Sequence, residues 1–125
     1  MSDWDVRKGR EVDAPREAAL VWPRIRKAVK QAGYAMPKIR LRWFANLYSQ
    51  GQVIYAVTWK NRKSCTIWVD VVACRHDLTD TLIHEVAHAL AFQVEGDTHP
   101  HDHSDLWGTI YGRLYRAYHD SHQEE

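Results

Sequence analysis

The chain has only two cysteines, Cys65 and Cys74, and no pair spaced as CxxC. That excludes a disulfide-stapled scaffold and a zinc ribbon built on thiolates, and makes a reducing, cytoplasmic setting the expectation. Long apolar runs are equally scarce. The best of them, around Ile67 to Val72, is broken by Asp70, so no membrane-spanning helix is expected. The opening residues, Met1-Ser-Asp-Trp-Asp, lack the apolar centre of a secretory leader. No internal repeat, low-complexity tract or interdomain linker appears. With 125 residues, 45% of them hydrophobic, the chain has material for one domain and one core.

Each half is also poor in one sign of charge. Residues 1–63 hold 14 lysines and arginines against 5 acids, whereas residues 64–125 hold 3 against 11. The net charge of +1 hides this split. Either the halves neutralise each other across the folded surface, or the basic half meets an anionic partner such as nucleic acid.

Residues 1–13 are charged and aperiodic and read as a flexible arm. Asp13 is placed to cap a helix, with Pro15 in its first turn, and Leu20, Ile25, Ala28, Val29 and Ala32 recur at helical spacing up to Gly33. Pro23 should kink or split that helix. Three strand-like runs follow, Lys38–Phe44, Gln52–Trp59 and Cys65–Ala73, and their short links favour antiparallel pairing of at least the first two. Asp70, inside the third run, is either a support for a functional histidine or a solvent-facing residue. A helix from about Leu78 to Glu95, capped by Asp77 and stopped by Gly96, carries the apolar stripe Leu78, Leu82, Ile83, Val86 and Leu90. A His-rich loop, Gly96–His103, leads to a last helix opened by Ser104. The order predicts an α+β domain with a three-stranded, mainly antiparallel sheet.

The chemistry concentrates in His84-Glu85-Val86-Ala87-His88. On a helix, positions i and i+4 lie one turn apart on one face, so both imidazoles can reach one zinc ion. Glu85 sits beside them as a general base. Composition alone would produce such a motif roughly 0.02 times in a chain of this length, so chance is a poor explanation. Two histidines under-fill a catalytic zinc site, which takes three protein ligands. A histidine six residues after the second, as metzincins require, is absent, because that position is Val94. No glutamate lies between Glu95 and Glu124, and Glu95 is two turns from His88. The remaining candidates are His99, His101, His103, Asp102 and Asp105.

The run His84 to Leu90, followed by His103-Ser104-Asp105-Leu106-Trp107, resembles the SprT-like (Spartan-type) zinc metallopeptidases. Their pattern is HExxH, about fifteen residues, then a histidine opening a helix with an aromatic four residues on. His103 stands fifteen residues after His88, and Trp107 takes the aromatic place. The resemblance spans residues 15–119, including the strands that lead into the HExxH helix. It implies a single zincin-like domain over residues 14–120, flanked by the arm and by a tail at 121–125. It also implies zinc held by His84, His88 and His103, with Glu85 as the base. Departures are visible: the family usually shows His-Gly-Pro-Glu/Asp-Phe where this chain has His103-Ser104-Asp105-Leu106-Trp107, and many members carry a zinc ribbon this sequence lacks. His103 directly precedes the cap Ser104, which orders its backbone, while His99 and His101 flank Pro100 in a freer loop.

The implied activity is endopeptidase cleavage of protein substrates. Zinc supplies a Lewis acid that brings water's pKa toward about 7, and Glu85 moves the proton to the leaving amine. Tyr111 and Tyr115 are candidates for oxyanion stabilisation, though packing is the simpler role for both. Gly108 and Gly112 either admit a close helix neighbour or are simply exposed. By resemblance, the substrates are DNA-associated or DNA-crosslinked proteins. Arg40, Arg42, Trp43, Trp59, Lys60, Arg62 and Lys63 mix cations with aromatics as a DNA-contacting surface does. The competing expectations are a nucleic-acid-binding module with a structural zinc, and a metal-dependent hydrolase of non-peptide substrates.

Overall fold

The computed structural model describes residues 6–49, 51–60, 64–95 and 103–122. Its elements, in chain order, are β1 (Val6–Lys8), α1 (Arg16–Gln31), β2 (Ile39–Phe44), β3 (Leu47–Ser49), β4 (Gln52–Val53), β5 (Ala56–Lys60), β6 (Cys65–Asp70), α2 (Leu78–Glu95) and α3 (Asp105–His122). This is an α+β arrangement of three helices and two small sheets. No helix among the described residues is long and apolar enough to cross a membrane.

Helix α1 starts two residues later than expected. Pro15 occupies its N-cap, so Asp13 lies outside the helix. The chain passes Pro23 as one unbroken helix. The lost hydrogen bond is outweighed because Ala18, Val21, Ile25, Ala28 and Val29 bury an apolar face on both sides of the proline. The end is as expected. Gly33 adopts φ +92°, Gly33 N–H donates to the Lys30 carbonyl and Tyr34 N–H to that of Val29. That pairing is a Schellman cap, which a side chain at position 33 would strain.

The principal sheet has the order β2-β6-β5. The first two strand runs therefore do not pair. Strand β2 runs parallel to β6, with Ile39 opposite Cys65 and Phe44 opposite Asp70, while β5 is antiparallel to β6. The expected mainly antiparallel sheet is thus one parallel and one antiparallel pair. The reason lies between β2 and β5. Residues 47–53 turn away to form the hairpin β3–β4, with Gly51 at φ +76°, and build a second sheet in the order β1-β3-β4. Strand β6, with Cys65, Ile67, Val69 and Asp70 all buried, takes the centre they leave.

The arm reading fails for the described part of residues 1–13. Val6–Lys8 pairs with β3, and hydrogen bonds Gly9 N to Asn46 O, Ala45 N to Arg10 O and Val12 N to Trp43 O carry the chain along the sheet. A three-residue edge strand leaves no periodicity to read.

One face of the principal sheet carries Trp43, Ile67, Val69 and Ala56 into the core shared with the helices. The other carries aromatics: Trp68 lies 5.5 Å from Phe44 and 5.4 Å from Trp59, ring to ring, and the Lys8 ammonium sits 5.1 Å from the Trp68 ring. Arg42, on this face, is clamped by Glu11 through two hydrogen bonds of 2.7 and 3.0 Å. Trp43 is buried and cannot stack on a nucleic-acid base, which corrects its placement on an outer surface. Arg62 and Lys63 lie outside the described residues.

Asp70 is neither of the things expected of it. It is buried, and its carboxylate accepts N–H groups from Leu47 at 3.0 Å, Val72 at 3.0 Å and Ala73 at 2.9 Å. It ties the end of β6 to β3 and organises the turn into α2. Cys65 and Cys74 are buried free thiols.

Candidate functional site

Helix α2 runs over the expected residues, and the Asp77 carbonyl accepts the Thr81 N–H at its start. Leu78, Leu82, Ile83, Val86, Ala87 and Leu90 bury its apolar positions, which leaves His84 and His88 facing α3. Helix α3 is capped as expected: the Ser104 hydroxyl accepts the Trp107 N–H at 3.1 Å, and the Ser104 carbonyl accepts that of Gly108. Ile110, Leu114 and Tyr118 seat α3 in the core.

These two helices bring His84, His88 and His103 together. Each offers one ring nitrogen, and the three lie within 4.8 Å of one another. The Nε2 atoms of His84 and His103 are 3.2 Å apart. Four ligands arranged tetrahedrally at 2.0–2.1 Å from zinc stand about 3.3–3.4 Å from each other, so this spacing fits. Three imidazoles are also a donor set that suits zinc and neighbouring transition metals. The three histidines are therefore able to hold a metal ion. Among the described residues no further histidine, cysteine or carboxylate joins the group. His88 is buried, His84 partly so, and His103 exposed, so the cluster opens toward solvent on one side.

Glu85 points elsewhere on the helix. It is buried, with its Oε2 at 3.8 Å from His84 Nε2. The Thr58 hydroxyl on β5 donates to its Oε1 at 2.8 Å. Burial raises the carboxyl to about 7, with the Thr58 hydrogen bond pulling the other way. A cleft of about 450 Å³ adjoins the group, walled by Ile54, Tyr55 and Ala56 on one side and by Asp77, Asp80, Thr81, His84 and Glu85 on the other.

Trp107 touches all three histidine rings: it stacks on His88 at 5.3 Å and meets His84 and His103 at 4.8 and 4.4 Å. Its Nε1–H also donates to the His84 carbonyl at 3.3 Å. Its position four residues after His103 was the signal for it. Thr58 had none: a threonine in mid-strand looks like any other.

Other expectations resolve individually. His99, His101 and Asp102 lie outside the described residues, and Asp105 is exposed and apart from the cluster. Tyr111 donates its hydroxyl to Asp80 at 2.6 Å, and Tyr115 is exposed on the next turn. A Cβ at Gly108 or Gly112 would meet nothing within 4 Å, so neither glycine serves a close approach.

No curated protein and no solved structure matches the chain. The comparison with protein families does find a match, and it covers β2 through β6, both helices of the histidine cluster and most of α1: over residues 22–120 the chain matches, and belongs to, the SprT-like family.

Proposed function

We propose that this chain is a zinc-dependent endopeptidase. One observation carries the reading: three histidines converge on a point where a buried carboxylate, itself outside the group, stands 3.8 Å from one of them. Ligands and base are thus separate residues, as hydrolysis requires and a purely structural zinc does not. His84, His88 and His103 hold the ion; zinc supplies a Lewis acid that activates water and polarises the peptide carbonyl. Glu85 accepts the water proton and delivers it to the leaving nitrogen. Burial raises that carboxyl above its ordinary range, which favours its taking up a proton. Thr58 holds the carboxyl in place. Strand β5 is the sheet's edge, and its start forms a cleft wall, so an extended peptide can add to that edge and lie across Glu85. Family membership favours protein substrates associated with or crosslinked to DNA.

The test is Glu85→Gln. This variant should keep one zinc per chain and the wild-type melting behaviour while losing ~10²–10⁴-fold in peptide cleavage. Wild-type cleavage by the variant removes Glu85 from the reaction. A structural zinc predicts instead that the wild-type chain cleaves nothing while holding zinc through four ligands.

A further inference from the structure

The histidine cluster depends on two helices that approach it from separate stretches of chain. His103 stands fifteen positions after His88 and precedes the first residue of α3 by two. Whatever sets α3 along α2 therefore sets where His103 stands relative to His84. The core residues Ile110, Leu114 and Tyr118 press α3 inward. Apolar packing sets the depth and angle at which α3 lies, and a directional bond adds a further constraint on its register.

Such a bond exists one turn from the cluster. Asp80 lies four residues before His84, on the same face of α2. Tyr111 lies four after Trp107 on the facing side of α3. The Tyr111 hydroxyl donates to Asp80 Oδ1 at 2.6 Å, a short, charge-assisted contact. The same ring is stacked parallel on Trp107, 5.1 Å between centroids and 5° between planes, and Trp107 touches all three histidines. Tyr111 also meets His84 directly at 5.9 Å. Two rows of side chains thus face each other at four-residue steps, Asp80-His84-His88 against Tyr111-Trp107-His103.

Resting on the zinc reading above, we propose that Asp80 and Tyr111 are positioning residues, a latch that fixes the register of α3 on α2 and so sets the metal affinity of the histidine cluster. Neither residue is a ligand. The latch acts through Trp107, which passes the position of Tyr111 to the three rings.

The experiment measures zinc dissociation constants by competition with a chromophoric chelator for wild type, Tyr111→Phe, Asp80→Ala, Asp80→Asn and Tyr111→Phe/Asp80→Ala. Groups hydrogen-bonded directly to metal ligands are worth about 10–100-fold in affinity, and a latch one contact further out should reach the lower end of that range. Tyr111→Phe and Asp80→Ala should each weaken zinc by at least about 10-fold. The double variant should be no worse than either single one, because both delete one bond. Asp80→Asn retains an acceptor oxygen and should recover most of the loss. Melting of the metal-free proteins runs alongside, and Asp80 is exposed, so its variants fold even if Tyr111→Phe does not. Cobalt substituted for zinc should show weaker tetrahedral d–d bands in the latch variants. Equal zinc affinity in wild type and Asp80→Ala overturns the latch and leaves the zinc reading standing. Additive losses in the double variant overturn it as well. A wild-type chain that takes up no zinc, or a His103→Ala chain that binds it as well as wild type, overturns the zinc reading itself.

Discussion

Thr58 donates one hydroxyl to two oxygens of the same residue, the Oε1 of Glu85 at 2.8 Å and its backbone carbonyl at 3.1 Å. A strand and a helix 27 residues apart in sequence thereby orient the proposed base. Thr58→Val preserves the shape and removes the donor. It should cost about 1–3 kcal/mol in urea unfolding, because a buried carboxylate loses its partner. Cleavage should fall while zinc content stays at wild type, and Thr58→Ser should restore both. Unchanged cleavage by Thr58→Val would show that Glu85 is held by its packing alone.

Asp70 is a structural counterpart. Three backbone donors end on its carboxylate, so Asp70→Ala leaves all three without it. The expected loss is about 3 kcal/mol or more, read as a lower denaturation midpoint at constant slope. Asp70→Asn turns an amide nitrogen toward at least one of those donors and should fall between alanine and wild type. A midpoint unchanged in Asp70→Ala would mean that the turn and β3 hold without it.

Cys74 makes stability depend on alkaline pH. Burial, with the Asp70 charge adding to it, pushes this thiol from an ordinary 9 to about 11. A pKa raised in the folded state gives full stability below pH 9. That stability is lost as the unfolded thiol ionises first, between pH 9 and 11. The loss should reach roughly 2–3 kcal/mol across that window and be absent from Cys74→Ala. Denaturant midpoints at pH 8, 9, 10 and 11 for both proteins decide it. Parallel curves would dismiss the thiol as the cause.

For DNA, the fold separates two residues that looked alike. Arg40 is exposed on β2, whereas Trp43, three residues on, is in the core. Arg40→Glu should weaken single-stranded DNA binding and reduce the slope of log K against log salt by about 0.7. Trp43→Phe should leave binding untouched. Fluorescence anisotropy at two ionic strengths measures both. Indifference to Arg40→Glu takes this end of the sheet out of any DNA contact.

Elements whose causes are local could be read directly. The 3.6-residue period of α2, the Ser104 cap of α3 and Gly33 at the end of α1 act over one or two turns, and each stands where expected. What escaped depends on distant partners. The parallel union of β2 with β6 follows from where the hairpin at 47–53 goes, and a three-residue strand such as β1 exists only because β3 lies beside it. The site divides in the same way. His84, Glu85 and His88 share one helical stretch, and His103 and Trp107 are linked by the start of another. Thr58 and the Asp80–Tyr111 bond join side chains whose spacing in the chain carries no period.

The route from β6 into α2 gives the two helices of the site unequal freedom. The chain leaves the middle strand of the sheet, turns under the three N–H bonds to Asp70, and enters α2 within a few residues. His84 and His88 are thus moored to the middle strand of the principal sheet, while His103 precedes a helix held by Ile110, Leu114 and Tyr118 and by the bonds from Tyr111 to Asp80 and Trp107 to His84. Slow amide exchange should therefore persist through α2 whether or not metal is bound. In α3, exchange should quicken when the ion is removed. Of the two helices that carry the histidines, α2 is fixed through the sheet and α3 through its contacts with the other helices.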